Sequence, residues 1–246
     1  MTDDKRLYNS VAPLRNVAAL VTLMEKVRSR AIGLPGMAVF YGPSGYGKTT
    51  AAVYAANRFQ AYSVQVKSAW KQRLFCEAIL HEMGLKPRGT IGHMVQQISE
   101  HLARTDAPLL IDEADFLVVQ RSIEIVRDIY EGSGAPVILI GEELLPQKLR
   151  EWERVHGRIL DWVAAEPGSI DDVRHLAPIY AAGVDVGEDL ALAILAKSGG
   201  SIRRICVSLA NAAEFALVRG LSRLGARDLP EKNLFTGEAP RPRRVA

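Results

Sequence analysis

The chain has 246 residues, of which 48% are hydrophobic and 24% are charged. This composition is typical of a globular protein and excludes an intrinsically disordered chain. The sequence has no run of about 18 apolar residues and no apolar stretch near Met1, so we expect neither a membrane span nor a secretory signal, and a cytoplasmic location. The formal net charge of +3 permits a nucleic-acid partner without requiring one.

Apolar runs and amphipathic patterns alternate over the first 140 residues. The runs at 37–41, 62–66, 108–111 and 137–140 predict four strands. Helical periodicity predicts helices at 14–30, 49–59, 70–83, 91–103 and 116–131. Strands that alternate with helices indicate an α/β fold, in which a parallel sheet is flanked by helices.

The pattern changes beyond Pro167, where the strand signal stops. Helical patterns at 170–182, 188–197 and 202–218 predict a small all-helical domain. We therefore divide the chain into an α/β domain at 1–166, a helical domain at 167–224 and a basic tail at 225–246. Prolines and charges in the tail predict that most of it is flexible.

A glycine-rich segment between the first predicted strand and the second predicted helix matches the pattern GxxxxGK[ST]. Its residues are Gly42, Pro43, Ser44, Gly45, Tyr46, Gly47, Lys48 and Thr49, followed by Thr50. In such a loop the backbone N–H groups surround phosphates, the lysine reaches the terminal phosphates and the hydroxyl ligates Mg²⁺. The strand and helix on either side argue against an incidental glycine-rich turn. The segment therefore predicts a site for ATP and Mg²⁺.

Two carboxylates follow the third predicted strand, at Asp112 and Glu113. In phosphoryl transfer one carboxylate holds the metal ion and a second group orients the attacking water. We assign the metal to Asp112, together with Thr49, and the water to Glu113. Asp115 is expected to cap the helix that follows, because aspartate is favoured at helix starts.

The phosphate loop and the acidic pair, followed by a further strand and a helical domain, resemble the AAA+ ATPases. The segments 137–149 and 152–158 are similar to the DNA transposition helpers of the phage Mu B and TnsC group. This resemblance implies an ATPase that self-associates into an ATP-dependent oligomer or helical filament, with the helical domain as its lid. It also implies sequence-nonspecific binding of double-stranded DNA, which is delivered to a transposase and stimulates transposition. The alternative function is a DNA replication initiator or helicase loader of related build.

The residues after the fourth predicted strand depart from the AAA+ pattern. Many AAA+ proteins have a polar neutral residue there that senses the γ-phosphate, whereas this chain has Gly141 and Glu142. A carboxylate donates a hydrogen bond only when it is protonated, so the resemblance does not extend to this role.

Arg150, Arg154 and Arg158 recur every four residues and would form one stripe on a continuous helix. One interpretation is a solvated basic face paired with Glu151 and Glu153. The AAA+ resemblance implies instead that Arg158, or secondarily Arg154, stabilises the γ-phosphate held by a neighbouring subunit.

Residues 199–204 resemble the second sensor motif of AAA+ proteins, at the start of a lid helix. The resemblance implies that Arg203 contacts the nucleotide bound by the same chain. A surface arginine pair, Arg203 with Arg204, is the alternative.

Basic residues follow the second predicted strand, at Lys67, Lys71 and Arg73. Loop cations of this kind suit contacts to DNA phosphates, which require no base sequence. The same region contacts DNA in the transposition ATPases that the chain resembles. A plain solvated surface is the alternative, and Trp70 is expected in the core. In the tail, Arg241, Arg243 and Arg244 could bind DNA or a partner protein, or simply be solvated.

Overall fold

A computed structural model of the chain describes residues 13–237. These residues divide into two compact units. The larger unit contains residues 16–44 and 48–165, and the smaller contains residues 13–15, 45–47 and 166–237. No helix among residues 13–237 is long and apolar enough to cross a membrane.

A five-stranded parallel sheet forms the centre of the larger unit. Its strands are β1 (Met37–Tyr41), β2 (Tyr62–Gln65), β3 (Leu109–Asp112), β4 (Val137–Gly141) and β5 (Ile159–Ala164). They lie in the order β2-β3-β4-β1-β5. β3 and β4 are buried along their whole length, as expected for central strands that are covered on both faces. The parallel sheet of an α/β fold that the sequence predicts is therefore present.

Eight described helices accompany these strands, the first before β1 and the other seven between consecutive strands. They are α1 (Arg15–Arg28), α2 (Lys48–Phe59), α3 (Gln72–Glu82), α4 (Ile91–Thr105), α5 (Asp115–Val119), α6 (Glu124–Ser133), α7 (Leu145–Leu149) and α8 (Glu153–His156). The apolar faces of α3, α4 and α6 pack on the sheet through side chains such as Phe75, Ile98 and Ile129, which are fully buried.

The structure of this unit differs from the sequence analysis at three points. The single helix expected at 116–131 is two helices, because the chain turns between α5 and α6 with Arg121 at a left-handed φ of 54°. No continuous helix runs through Arg150, Arg154 and Arg158, because α7 ends at Leu149 and the four-residue α8 follows a turn at Trp152. The edge strand β5 was not predicted.

The smaller unit contains three longer helices, as the sequence predicts. They are α9 (Ile170–Tyr180), α10 (Glu188–Ser198) and α11 (Ile202–Arg219), accompanied by the two-residue parallel strands β6 (Asp185–Val186) and β7 (Arg223–Leu224). Ser169 begins α9 with a capping box, in which its hydroxyl accepts from the N–H of Asp172. Ser201 accepts similarly from the N–H of Arg204 at the start of α11.

The first half of the predicted flexible tail packs against α11. Asn211 donates its side-chain amide to the carbonyl of Asn233 at 3.0 Å, and the Phe235 N–H donates to the Ser208 hydroxyl at 2.9 Å. Leu229 is buried. Residues 225–237 are therefore part of the helical unit, whereas Arg241, Arg243 and Arg244 lie outside the described residues.

Candidate functional site

The glycine-rich loop connects the carboxyl end of β1 to α2, in the strand–loop–helix setting that the sequence predicts. α2 begins at Lys48, so Thr49 and Thr50 stand in its first turn. Gly45 and Gly47 have φ values of +87° and +82°, which side chains other than glycine rarely adopt. The turn therefore needs glycine at both positions, and it leads directly into the positive end of a helix.

The Lys48 ammonium folds over this loop. Its Nζ donates to the carbonyls of Gly42 at 2.6 Å and Pro43 at 2.9 Å. Burial lowers the pKa of Lys48 because it penalises the charged form, and the Asp112 carboxylate opposes that effect. The lysine thus presents a partly desolvated positive charge beside the loop.

A hydrogen bond joins the loop helix to the acidic end of β3. Thr49 donates from Oγ1 to Oδ2 of Asp112 at 2.8 Å, and Asp112 is only 5% exposed. The other Asp112 oxygen accepts the backbone N–H of Glu113 at 2.9 Å. Two residues that are 63 positions apart are therefore brought together, and both carry oxygen atoms of the kind that bind hard cations.

Glu113 has an unusual backbone conformation. Its φ of 57° lies in the left-handed region, which costs free energy for a residue with a side chain, and such strain is often found at functional positions. Burial raises the pKa of Glu113, and the neighbouring Asp112 carboxylate raises it further, while Lys48 lowers it. A carboxylate with a raised pKa is a better proton acceptor than an ordinary glutamate.

Asp115 does not cap α5, contrary to the sequence prediction. It is the first residue of the helix, and α5 has no side-chain cap. Its buried carboxylate instead accepts the backbone N–H of Glu142 at 2.6 Å and the Nζ of Lys148 at 2.7 Å. Asp115 therefore connects the start of α5 to the end of β4 and to α7.

This contact explains the glycine at the end of β4. A Cβ atom on Gly141 would lie 2.3 Å from Oδ2 of Asp115 and 2.5 Å from a methyl group of Leu145. Both neighbours are buried, so neither has space into which to move. Glycine at 141 follows from packing, and the exposed Glu142 is the first side chain after the strand.

The candidate inter-subunit arginines lie away from the loop of their own chain. Arg158 directly precedes β5, and its carbonyl accepts the N–H of Met37 at the amino end of β1. The loop begins at the other end of β1, about 16 Å away for five residues of strand. Arg158 pairs with Glu131, through Nε at 2.9 Å and Nη2 at 2.5 Å, and the exposed Arg154 lies on α8. The three arginines do not form the stripe that a continuous helix would have given.

In the smaller unit, Arg203 stands in the first turn of α11. Its backbone N–H donates to the carbonyl of Gly45 at 3.1 Å, and its guanidinium is exposed. Ser201 lies against Gly45, where a Cβ would meet its hydroxyl at 2.6 Å. The start of α11 therefore contacts the tip of the glycine-rich loop, a contact that the sequence does not reveal.

The candidate DNA-binding residues lie between β2 and the first turn of α3. Lys67 and Lys71 are exposed, with the Lys67 ammonium bonded to the Gln65 side chain at 2.6 Å. Arg73 is held by its own helix, where its Nε lies 2.8 Å from the Glu77 carboxylate. Arg73 is therefore less available than the two lysines.

A groove of about 610 Å³ lies beneath these cations and was not predicted. Residues 68–73, Ile91, Gln120 and Ser122 line it. The Gln120 amide donates to the Ser68 carbonyl at 2.7 Å, which fixes the loop over the groove. Trp70 is partly buried against the core, as expected.

Comparisons with known proteins agree with this geometry. Residues 32–149 match the protein-family model described as "AAA domain". This segment, just under half of the chain, is similar to an AAA domain. Such domains in general hydrolyse nucleotides. A search of curated protein sequences found no match.

The AAA domain and the helical unit together resemble solved structures of archaeal proteins. The ORC2 protein of Aeropyrum pernix in its ADP form is 16% identical, with a TM-score of 0.66, and 92% of this chain matches 69% of that chain. CDC6p of Pyrobaculum aerophilum is 17% identical, with a TM-score of 0.64 and coverage of 94% and 70%. The Aeropyrum pernix ORC1 protein in complex with DNA is 18% identical, with a TM-score of 0.60 and coverage of 87% and 62%. At these identities the similarity shows the fold, and the chain spans less than two thirds of the ORC1 chain.

Replacement of Gly141 by alanine tests the packing at the end of β4. We expect Gly141→Ala to lower the free energy of unfolding by about 1–3 kcal/mol, because the new methyl group overlaps Asp115 and Leu145. Gly92→Ala is the matched control, since this α4 glycine has only the Thr90 hydroxyl near, at 3.9 Å, and alanine favours a helix. Urea unfolding of both variants gives the comparison, and equal stability of the two would contradict the packing argument.

Proposed function

We propose that this chain is a Mg²⁺-dependent ATPase whose active form is an oligomer on DNA. The observation that carries the enzymatic part is the hydrogen bond between Thr49 and Asp112. It brings the helix that follows the phosphate loop to the acidic end of β3, beside Glu113 and Lys48. A phosphate-binding loop, a pair of oxygen ligands and a carboxylate with a raised pKa then occupy one edge of the sheet.

The residues present fit Mg²⁺. This ion binds hard oxygen atoms, and in nucleotide sites it uses one or two protein ligands together with phosphate oxygens and water. Thr49 and Asp112 would supply the protein ligands. No group of three or more His, Cys, Asp or Glu side chains able to hold a metal exists within residues 13–237, which agrees with a metal that arrives with its nucleotide. When bound, Mg²⁺ neutralises charge that develops on the phosphate oxygens.

Each remaining group at this edge has a role that its position supports. The backbone N–H groups of the loop and the ammonium of Lys48 bind the phosphates. Glu113 orients the attacking water and accepts its proton, for which its raised pKa is suited. Because ionised Glu113 is the active form, the hydrolysis rate falls on the acidic side at a higher pH than an ordinary glutamate would produce.

Glu113→Gln tests this assignment, since it keeps the shape of the side chain and removes its basicity. Hydrolysis should fall by about a hundredfold or more, because the amide does not accept the proton of water. Binding of a fluorescent ATP analogue with Mg²⁺ should be retained in Glu113→Gln and lost in Lys48→Ala, which removes the charge nearest the terminal phosphates. Glu82→Gln, an exposed change on α3, is the control. Turnover by Glu113→Gln at the rate of the unaltered protein would assign the role to another residue.

The position of Arg158 supports a role between subunits. It stands at the amino end of the strands, and the phosphate loop stands at the opposite end, so its guanidinium does not reach nucleotide held by the same chain. An arginine at the edge of a subunit can stabilise transition-state charge in the neighbouring site. Arg154, exposed one short helix earlier, is the second candidate for this role.

Mixing two inactive variants tests the inter-subunit role. Arg158→Ala should leave ATP binding intact and reduce hydrolysis, and Lys48→Ala should bind no ATP. In a mixture the Lys48→Ala subunit still offers Arg158 to a neighbour whose phosphate loop is intact, so part of the ATPase activity should return. Arg174→Ala, which changes an arginine paired on the surface of the helical unit, is the control. A mixture as inactive as its components would contradict the role.

We propose further that the oligomer binds double-stranded DNA through Lys67 and Lys71, with Arg73 contributing less because of its contact with Glu77. The exposure of the two lysines in one loop supports phosphate contacts. The solved ORC1 structure includes DNA, which makes a DNA-binding role for a protein of this fold reasonable. Arg203, whose backbone meets the phosphate loop, is proposed to contact the nucleotide.

Two finer functions remain for such an ATPase. The fold similarity to the ORC and CDC6 proteins favours the replication initiator or helicase loader. Delivery of DNA to a transposase rests on the sequence resemblance of residues 137–158 alone. The two functions differ in what the DNA site recognises, because target delivery requires indifference to sequence and an initiator prefers particular sites.

DNA binding by the unaltered protein and by a double variant tests the DNA role. We expect ATP-dependent binding that weakens steeply with salt, and Lys67→Ala with Lys71→Ala should lower affinity for all duplexes and reduce the salt slope by about one unit per lost contact. Lys86→Ala with Lys232→Ala removes the same charge from exposed positions elsewhere and is the control. Equal losses of DNA affinity in both double variants would contradict a specific role for Lys67 and Lys71, because they would show only a general effect of charge. A selection of bound DNA from random duplexes then separates the two finer functions. Enrichment of particular sequences would indicate an initiator, and no enrichment would indicate target delivery.

A further inference from the structure

Glu142 occupies a fixed position beside the candidate nucleotide site. Its backbone N–H donates to the buried carboxylate of Asp115, which Lys148 also holds. The preceding residue, Gly141, has no room for a side chain. On its other side, the Glu142 carbonyl accepts the N–H of Leu145 at 3.1 Å. The backbone at 142 is therefore held on both sides, and its side chain begins at the carboxyl end of β4.

The Glu142 carboxylate acts electrostatically on two residues of the site. It raises the pKa of Lys48, which is proposed to bind the terminal phosphates, and it raises the pKa of Glu113. Asp112 acts on the same two groups. The geometry agrees: the carbonyl of Gly141 accepts the N–H of Gly42 at 3.3 Å, and the carbonyl of Gly42 accepts the Lys48 ammonium at 2.6 Å. Glu142 therefore begins one residue from a direct contact with the phosphate loop, and the exposed Glu143 stands one residue further along.

A negative charge at this position has a predictable effect on nucleotide binding. Metal-free ATP carries about twice the negative charge of its Mg²⁺ complex, so a nearby carboxylate repels the metal-free form more strongly. Asp112 and Glu113 add to this repulsion, but both have roles with the metal ion or the water. Glu142 is assigned neither role, and its exposed side chain can be changed without removing a proposed metal ligand or the proposed base.

We propose that Glu142 makes nucleotide binding conditional on the divalent ion, by repelling metal-free ATP while it tolerates the metal complex. This inference rests on the proposed ATPase function. It assigns a selective role to the position at which the chain departs from the AAA+ pattern. The carboxylate there serves as a charge, and it need not donate a hydrogen bond to the γ-phosphate.

The test compares the affinity of the protein for a fluorescent ATP analogue in Mg²⁺ and in EDTA. The quantity of interest is the ratio of the two dissociation constants, which a general loss of binding does not change. In Glu142→Gln the preference for the metal complex should fall by about fivefold, mainly because metal-free binding improves. Glu142→Ala should show the same fall, and Glu143→Gln should keep the ratio of the unaltered protein.

Each other result has a distinct meaning. A preference unchanged within twofold in both Glu142 variants would overturn the inference. A gain in affinity limited to Glu142→Gln and equal in both buffers would also overturn it, because it would show that a new amide donor is the cause. Failure of the unaltered protein to bind the analogue in either buffer would overturn the proposed ATPase function itself. Thermal unfolding of the variants, expected to match the unaltered protein because the altered side chain is exposed, confirms that they are folded.

Discussion

Parallel pairing of β3 with β4 and of β4 with β1 brings the carboxyl ends of three buried strands to one edge of the sheet. The loop after β1 carries the glycines and Lys48, the end of β3 carries Asp112 and Glu113, and the end of β4 leads into Glu142. Parallel sheets generally bind their ligands at this edge. The hydrogen bond from Thr49 to Asp112 and the contact of Asp115 with Glu142 then fix the three loops relative to one another.

The charge of this edge is unbalanced. Burial lowers the pKa of Lys48, whereas the carboxylates of Asp112, Glu113, Glu142 and Asp115 all raise it. Asp115 is neutralised locally by Lys148, whereas Asp112 is held by neutral hydrogen-bond donors. Negative charge therefore exceeds positive charge at this edge, which suits a site where a bound metal ion would supply the missing positive charge. The strained backbone of Glu113 adds to the view that this edge is arranged for chemistry as well as for stability.

Much of the fold could be predicted from the sequence because buried parallel strands are continuous apolar runs. β1, β3 and β4 are such runs, and the phosphate loop has a spacing that a random segment rarely shows. The edge strand β5 was missed because Asp161 interrupts its apolar residues, and the partner of that carboxylate, Lys26, is distant in sequence. The contacts of Asp115 were missed because they are also distant in sequence. Aspartate at a helix start predicts a cap on that helix, whereas the partners of Asp115 are Glu142 and Lys148, which follow β4.

The ion pair between Arg158 and Glu131 has a consequence for assembly. A subunit that is alone already satisfies this guanidinium, so the amino end of its sheet presents a neutralised pair. In the proposed oligomer a neighbour's phosphates would compete with Glu131 for Arg158, so the attraction that drives association would be the difference between two ionic contacts and smaller than either one. Association would then be sensitive to which nucleotide the neighbour holds, because a stronger anion would shift the exchange and a weaker one would leave the arginine with Glu131.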